Sequence, residues 1–126
     1  MLPPVFQTLK ASAAVKAIVG QNPPRIYRHG SAPQRPDGLP LSDPYITWSV
    51  VADGPENHLS GTPSTDRVVV QIDCWHQTDA GIEALAIAAR DACESVAHMT
   101  GIIGNEREKE TKLYRIGLQL DWFVDR

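Results

Sequence analysis

Residues 65–77 read TDRVVVQIDCWHQ, and the alternation within them organises the rest of the chain. In an extended segment, Val68, Val70, Ile72 and Cys74 fall on one side, and Arg67, Val69, Gln71, Asp73 and Trp75 on the other. Period-2 alternation among β-branched residues suits a strand with one buried face. Val69 and Trp75 make the second face half apolar as well, so the strand is expected inside a sheet rather than at its edge. Thr78 and Asp79 follow as an N-cap pair. Beyond them Ile82, Leu85, Ala86, Ala89, Ala92, Cys93 and Val96 form one stripe at i, i+3, i+4, i+7 spacing. The stripe predicts a helix over about 79–97, roughly 28 Å long, with small residues that let it lie close against a sheet.

Upstream, Pro3 and Pro4 stand at a helix start, where a missing N–H costs nothing. Val5, Phe6, Leu9, Ala13 and Ala17 share a broad face, and Lys10 and Lys16 reach solvent, which predicts one helix over about 4–19. Gly20 stops it, and Pro23 and Pro24 prevent continuation. Residues 25–27, RIY, read as a short extended segment. Residues 28–43 are rich in Pro and Gly and poor in apolar side chains, as in a long functional surface loop. YITWSVV (45–51) is a strand with Ile46, Trp48 and Val50 on its apolar face. ADGPENHLSGTPST (52–65) is a second loop, with Leu59 its only large apolar residue.

Downstream, residues 99–105 extend, 106–110 form a charged turn, and 113–124 alternate again. Tyr114, Ile116, Leu118, Leu120, Trp122 and Val124 take one face, opposite Arg115, Gln119, Asp121 and Asp125. The order α, β, β, β, α, β, β joins most strands through loops, which favours antiparallel pairing. The expected fold is α+β: a mixed or antiparallel sheet of four to five strands with two helices packed on one face, all in one domain over residues 1–126.

The composition is that of an ordinary globular chain, with 42% apolar and 21% charged residues among 126. A net charge of −3 argues against sequence-independent nucleic-acid binding as the main role. No apolar run approaches the ~20 residues of a membrane span. The first residues, MLPPVFQTLK, lack a secretion signal's pattern, so a cytoplasmic protein is expected. Cys74 and Cys93 are too few and too far apart for a zinc site or a disulfide framework, and both fall on core-facing positions.

The residues offer little chemistry. His29, His58, His76 and His98 are scattered, with no partner at metal-ligand spacing. Ser60-Gly61 resembles a nucleophile turn with no base near it in sequence. Cys74 and His76 point the same way, as a thiol–imidazole pair requires, but Cys74 continues a buried apolar face. Arg25, Arg28 and Arg35 cluster in or near the first loop, which has no aromatic residue for stacking on bases. It reads as an interaction loop. No catalytic residue, cofactor site or metal site is expected.

Several segments together resemble a known family. They are the N-terminal helix ending in Val19-Gly20, then RIY (25–27), a Pro/Gly loop, PYITW (44–48), LSGTP (59–63), VQIDCW (70–75), an Ala-rich helix, and a closing LYRIGLQLDWF (113–123). In order and spacing, over nearly the whole chain, they are similar to the tail completion proteins of long-tailed bacteriophages and prophages, relatives of tail terminator and tail-to-head joining proteins.

The resemblance implies a structural role: a homo-hexameric ring at the head-proximal end of the tail. Such a ring terminates the tube, joins it to the head, or does both. The implied partners are further copies of the chain, the tail tube protein and the head–tail connector proteins, with genome DNA passing through the channel without specific binding. The implied location is the virion, and the host cytoplasm during assembly. The family has no catalytic residues to carry over. Segments matching its variable loops, 28–43 and 52–66, become candidate subunit or tube contacts: Arg28, His29, Gln34, Arg35, Asp37, Glu56, Asn57, His58, Leu59, Thr62 and Asp66. Two polar loops on a compact body suit the heterologous contacts that close rings. The alternative is a non-catalytic small-molecule or peptide-binding α+β module with Trp48, Trp75 and Trp122 lining a pocket. An enzyme is the third reading.

Overall fold

The computed structural model describes residues 3–21, 23–29, 43–55, 65–109 and 112–125. In chain order the elements are α1 (Val5–Lys10), α2 (Ala13–Val19), β1 (Ile26–Arg28), β2 (Tyr45–Pro55), β3 (Thr65–His76), α3 (Asp79–Cys93), β4 (Ala97–Arg107) and β5 (Tyr114–Asp125). The strands form one five-stranded mixed sheet in the order β1-β2-β3-β5-β4. Only β1 and β2 run parallel; every other neighbouring pair is antiparallel. The α+β expectation holds, and the alternating stretch at 65–77 is the central strand β3.

β3 pairs with β5 along its whole length, from Thr65↔Asp125 to His76↔Tyr114. On its other side it meets β2, from Trp75↔Tyr45 to Asp66↔Pro55. In this register the even-numbered residues of β3 and β5 share one face. Val68, Val70, Ile72 and Cys74 lie beside Ile116, Leu118, Leu120 and Trp122, all buried, with Ile46 and Trp48 of β2 continuing the layer. α3 crosses this face and packs on β3 and β5, while α1 and α2 pack against α3. It buries Ile82, Leu85, Ala86, Ala88, Ala89 and Cys93. A fully buried Leu85 contributes about 2 kcal/mol of transfer free energy.

Two helix boundaries differ from the sequence reading. The first helix is two helices, broken at Ala11-Ser12. Ser12 Oγ accepts the Val15 N–H at 3.3 Å and caps α2, a local bond that competes with continuing the first helix. The break rotates the apolar face: Val15 and Val19 are buried with Val5 and Leu9, and Ala13 and Ala17 are exposed. α3 ends at Cys93 rather than near 97, and Val96 is 51% exposed. Ala97 is taken instead by β4, where it pairs with Trp122. The stripe matched a helix through Val96 because helical spacing says nothing about which residue the neighbouring strand will claim. Strand pairing also takes the start of the 52–65 loop, since β2 runs to Pro55, while β3 starts at Thr65 as its alternation predicts, so the candidate contact Asp66 is a strand residue.

Arg25 joins the helical layer to the sheet. Its Nε donates to the Pro44 carbonyl at 2.7 Å and its Nη2 to the Ile18 carbonyl at 3.1 Å. Its backbone carbonyl accepts the Ile46 N–H at 2.9 Å. At the other edge, β4 carries register shifts between Met99 and Gly101 and between Ile103 and Asn105. Gly104 sits in the second at φ 76°, a conformation that favours glycine. Opposite lies Gly117, where a Cβ would collide with the Ile103 carbonyl oxygen and Asp73 Oδ1.

Two outcomes follow. Trp48→Ala or Trp122→Ala, each removing a buried indole from the face beneath the helices, lowers stability by about 3–5 kcal/mol in chemical denaturation. Gly117→Ala lowers it by about 1–3 kcal/mol, because the atom it meets at Ile103 is backbone and must move with the edge strand.

Candidate interaction surfaces

The odd-numbered residues of β3 and β5 form the sheet's other face, on which none of the described helices packs. Trp75 stacks on Tyr45 with ring centroids 5.7 Å apart and planes at 15°, and Tyr27 tilts against Tyr45 at 6.3 Å. Trp75 Nε1 donates to Thr47 Oγ1 at 3.3 Å, giving a partner to the hydroxyl of a residue that is 1% exposed. The Arg115 guanidinium lies 5.7 Å from the Trp75 ring centre and donates to Asp73 Oδ1 from Nη2 at 2.9 Å and Nε at 3.2 Å. Glu106 approaches Arg115 Nη1 at 3.5 Å, and Gln71 Nε2 donates to both Asp73 oxygens. Further along, Arg67 forms a two-point pair with Asp121 at 3.1 and 3.3 Å. Burial pushes the Tyr45 phenol up to about 12, with the charges of Glu108 and Tyr27 adding to it.

This layer explains how an uncovered sheet face coexists with buried Tyr45 and Val69. Flat rings and long polar side chains cover the backbone in place of a helix. It also corrects the three-tryptophan pocket. Trp48 and Trp122 belong to the core under the helices, and Trp75 lies on the opposite face.

Of the candidate contacts, Arg28 closes β1 with its guanidinium 5.5 Å from the Trp48 ring centre. His29 follows at φ 68° and is exposed. Asp66 lies on β3 opposite Val124. Arg28 stands opposite Trp48, and Asp66 opposite Pro55, which separates them by about 23 Å along β2. Gln34, Arg35, Asp37, Glu56, Asn57, His58, Leu59 and Thr62 lie outside the described residues. Arg25 leaves the arginine cluster read from the sequence, since its side chain is held by the two internal carbonyls described above.

The thiol–imidazole pair does not form a nucleophile. Cys74 is fully buried, and burial, then the neighbouring Asp73 charge and Cys93, raises its thiol far above the ordinary range. Burial also pushes Cys93 up to about 12. A nucleophilic cysteine needs the opposite shift. His76 serves the entrance of α3: Nδ1 accepts the Thr78 N–H at 3.1 Å, and the ring lies over Gly81, leaving no room for a Cβ there. Burial lowers the pKa of this imidazole, favouring the neutral acceptor form. Among the described residues no group of three His, Cys, Asp or Glu side chains could hold a metal ion.

Sequence reasoning missed a second surface. Between α3 and β4 runs a groove of about 260 Å³, walled by Ala86, Met99, Ile116 and Leu118. Ile87 and Ile102 on its borders are 50% and 62% exposed, and Glu83, Arg90 and Asn105 complete its rim. On the opposite face of the sheet Phe123 is 51% exposed beside Arg67, its register partner. The available signal was an apolar residue off the expected stripe: Ile87 lies outside the helical stripe, and Phe123 sits among the polar residues of β5.

Among the described residues, the surface thus offers a sheet face on which no described helix packs and an apolar groove at the sheet's edge. The sequence profile of the family described as tail completion protein gp17 matches residues 3–125. The chain therefore belongs to the bacteriophage tail completion family: it is a structural protein of the virion tail that associates with other tail proteins, and not an enzyme. Among curated proteins none matches the sequence. Among solved structures, a chain of the "Virion of native gene transfer agent (GTA) particle" shares the fold, with a TM-score of 0.61 and 21% identity over 97% of this chain and 92% of that one.

Two measurements probe these sites. Thiol reagents label Cys74 and Cys93 slowly in the folded protein and rapidly after unfolding; fast labelling of Cys74 alone would contradict its burial. The His76 pKa is lowered in the folded state, so the unfolded chain binds the proton more readily. The resulting stability is present above pH ~6.5 and is lost as pH falls from there through the lower folded value. His76→Gln keeps an acceptor without a titration, and its stability changes less across that window than that of the parent.

Proposed function

We propose that six copies of this chain form a ring at the head-proximal end of the tail, where they end growth of the tail tube, join it to the head connector, or do both. The observation that carries this reading is the family match across residues 3–125. The partners are then neighbouring copies, the tail tube protein and the connector proteins, with genome DNA passing through the channel. The shape of the chain supports it. A closed ring needs two different patches on each subunit, and this chain bears exposed apolar residues on both faces of one sheet.

Contacts at Arg28, His29, Gln34, Arg35, Asp37, Glu56, Asn57, His58, Leu59, Thr62 and Asp66 belong to this proposal as sites for neighbours or the tube. Association of free subunits must overcome several kcal/mol of lost translational and rotational freedom. A tube end holding several copies raises their effective concentration. The isolated protein is thus expected as a monomer or a ring, and as a sixfold ring on the tube.

Light scattering at rising concentration, followed by electron microscopy with purified tail tubes, tests the assembly. A tight twofold dimer that neither opens nor binds tubes would refute it. Alanine at Arg35, Asp37, Glu56 and His58 together leaves the denaturation midpoint of the monomer within experimental error and lowers the yield of completed tails. Normal tails from that variant would remove these loops from the interface.

A further inference from the structure

We infer that the groove between α3 and β4 receives Phe123 of a second copy of this chain. The inference rests on the ring reading for its biological setting, but the contact itself stands on this chain's own surface. The groove is apolar at its base, where Ala86, Met99, Ile116 and Leu118 line it, and two isoleucines stand open at its borders. Its volume of about 260 Å³ is of the order needed to house one large side chain. Phe123 is the one aromatic residue more than half exposed among the described residues, and it projects from the opposite face of the sheet.

Charge is complementary in the same pairing. Arg67, next to Phe123, has a side chain 48% exposed even while paired with Asp121. Glu83, on the groove rim, is exposed and makes no ion pair or hydrogen bond among the described residues. At the rim's other end Arg90 is already held by Asp91 and Glu94, so the net charge there does not repel an arriving cation. A seated Phe123 thus brings Arg67 toward an unpaired carboxylate. Backbone pairing along β4 is the less suitable contact, since two bulges break the regular edge that an added strand needs. Side chains entering the groove avoid that restriction. Because knob and hole lie on opposite faces, each copy can receive one neighbour and enter another.

Disulfide trapping tests this in the full-length chain. Asp125→Cys chains, which keep Phe123, mixed with Ile102→Cys chains and oxidised at rising protein concentration are expected to cross-link well above a control mixture of Val51→Cys with Ile102→Cys, and adding Phe123→Ala to the Asp125→Cys chain brings the rate down to that control. Cys74 and Cys93 are buried and do not compete. Glu83→Arg in the groove-bearing chain lowers the cross-linking rate by about threefold to fivefold, as for the loss of a rim ion pair. Arg67→Glu in the Asp125→Cys chain then restores it.

Cross-linking no faster than the control overturns the inference, as does a charge reversal without effect or without rescue. A chain carrying both Asp125→Cys and Ile102→Cys separates this contact from the ring proposal. A ladder of covalent oligomers supports both. A doubly bridged dimer with nothing larger supports the contact and refutes the ring.

Discussion

Burial of the even-numbered face of β3 against α3 is the constraint on which the other elements rely. β3 has a strand on each side along nearly its full length, so its backbone groups are satisfied within the sheet. Its inner residues Val68, Val70, Ile72 and Cys74 then need only one covering layer. α3 supplies it, entered through a short turn in which His76 and Thr78 serve the helix N-terminus. β5 completes the same face with Ile116, Leu118, Leu120 and Trp122. A shift of either strand by one residue would send that whole apolar set to the other side, so core and register hold each other in place.

The two faces of the sheet solve different problems. Beneath the helices, packing is apolar and leaves Trp48 and Trp122 as core residues. The other face uses the Tyr27–Tyr45–Trp75 cluster and the Asp73–Arg115 pair to cover backbone without a second helical layer. The exposed Arg67–Asp121 pair adds little to stability, as is usual for pairs open to solvent. A face arranged in this way can stand in water or meet another protein, which suits a subunit of a larger assembly.

A tail completion protein performs no covalent chemistry, and its chemically reactive groups are arranged accordingly. The two thiols are buried with raised pKa values, and the imidazole nearest to one of them is engaged at a helix start. On the proposed reading, the contacts are made by surfaces: the exposed isoleucines and phenylalanine, the rim charges, and the loops between the strands.

Alternation at 65–77 and 113–124 and the stripe from Ile82 to Cys93 were legible in the sequence because each periodicity reflects one face seeking burial. They determined the α+β class, the central place of β3, the buried cysteines and the core tryptophans. The order of its short segments also carried the family resemblance. Only the tertiary structure decided where the elements stop. Ser12 caps a second helix, Ala97 leaves α3 to pair with Trp122, and β2 runs on to Pro55, because each boundary depends on a partner distant in the chain or on a competing local bond. The groove was invisible for a related reason. Its walls come from Ala86, Met99, Ile116 and Leu118, residues on three elements, and a concavity between elements exists only after they have packed.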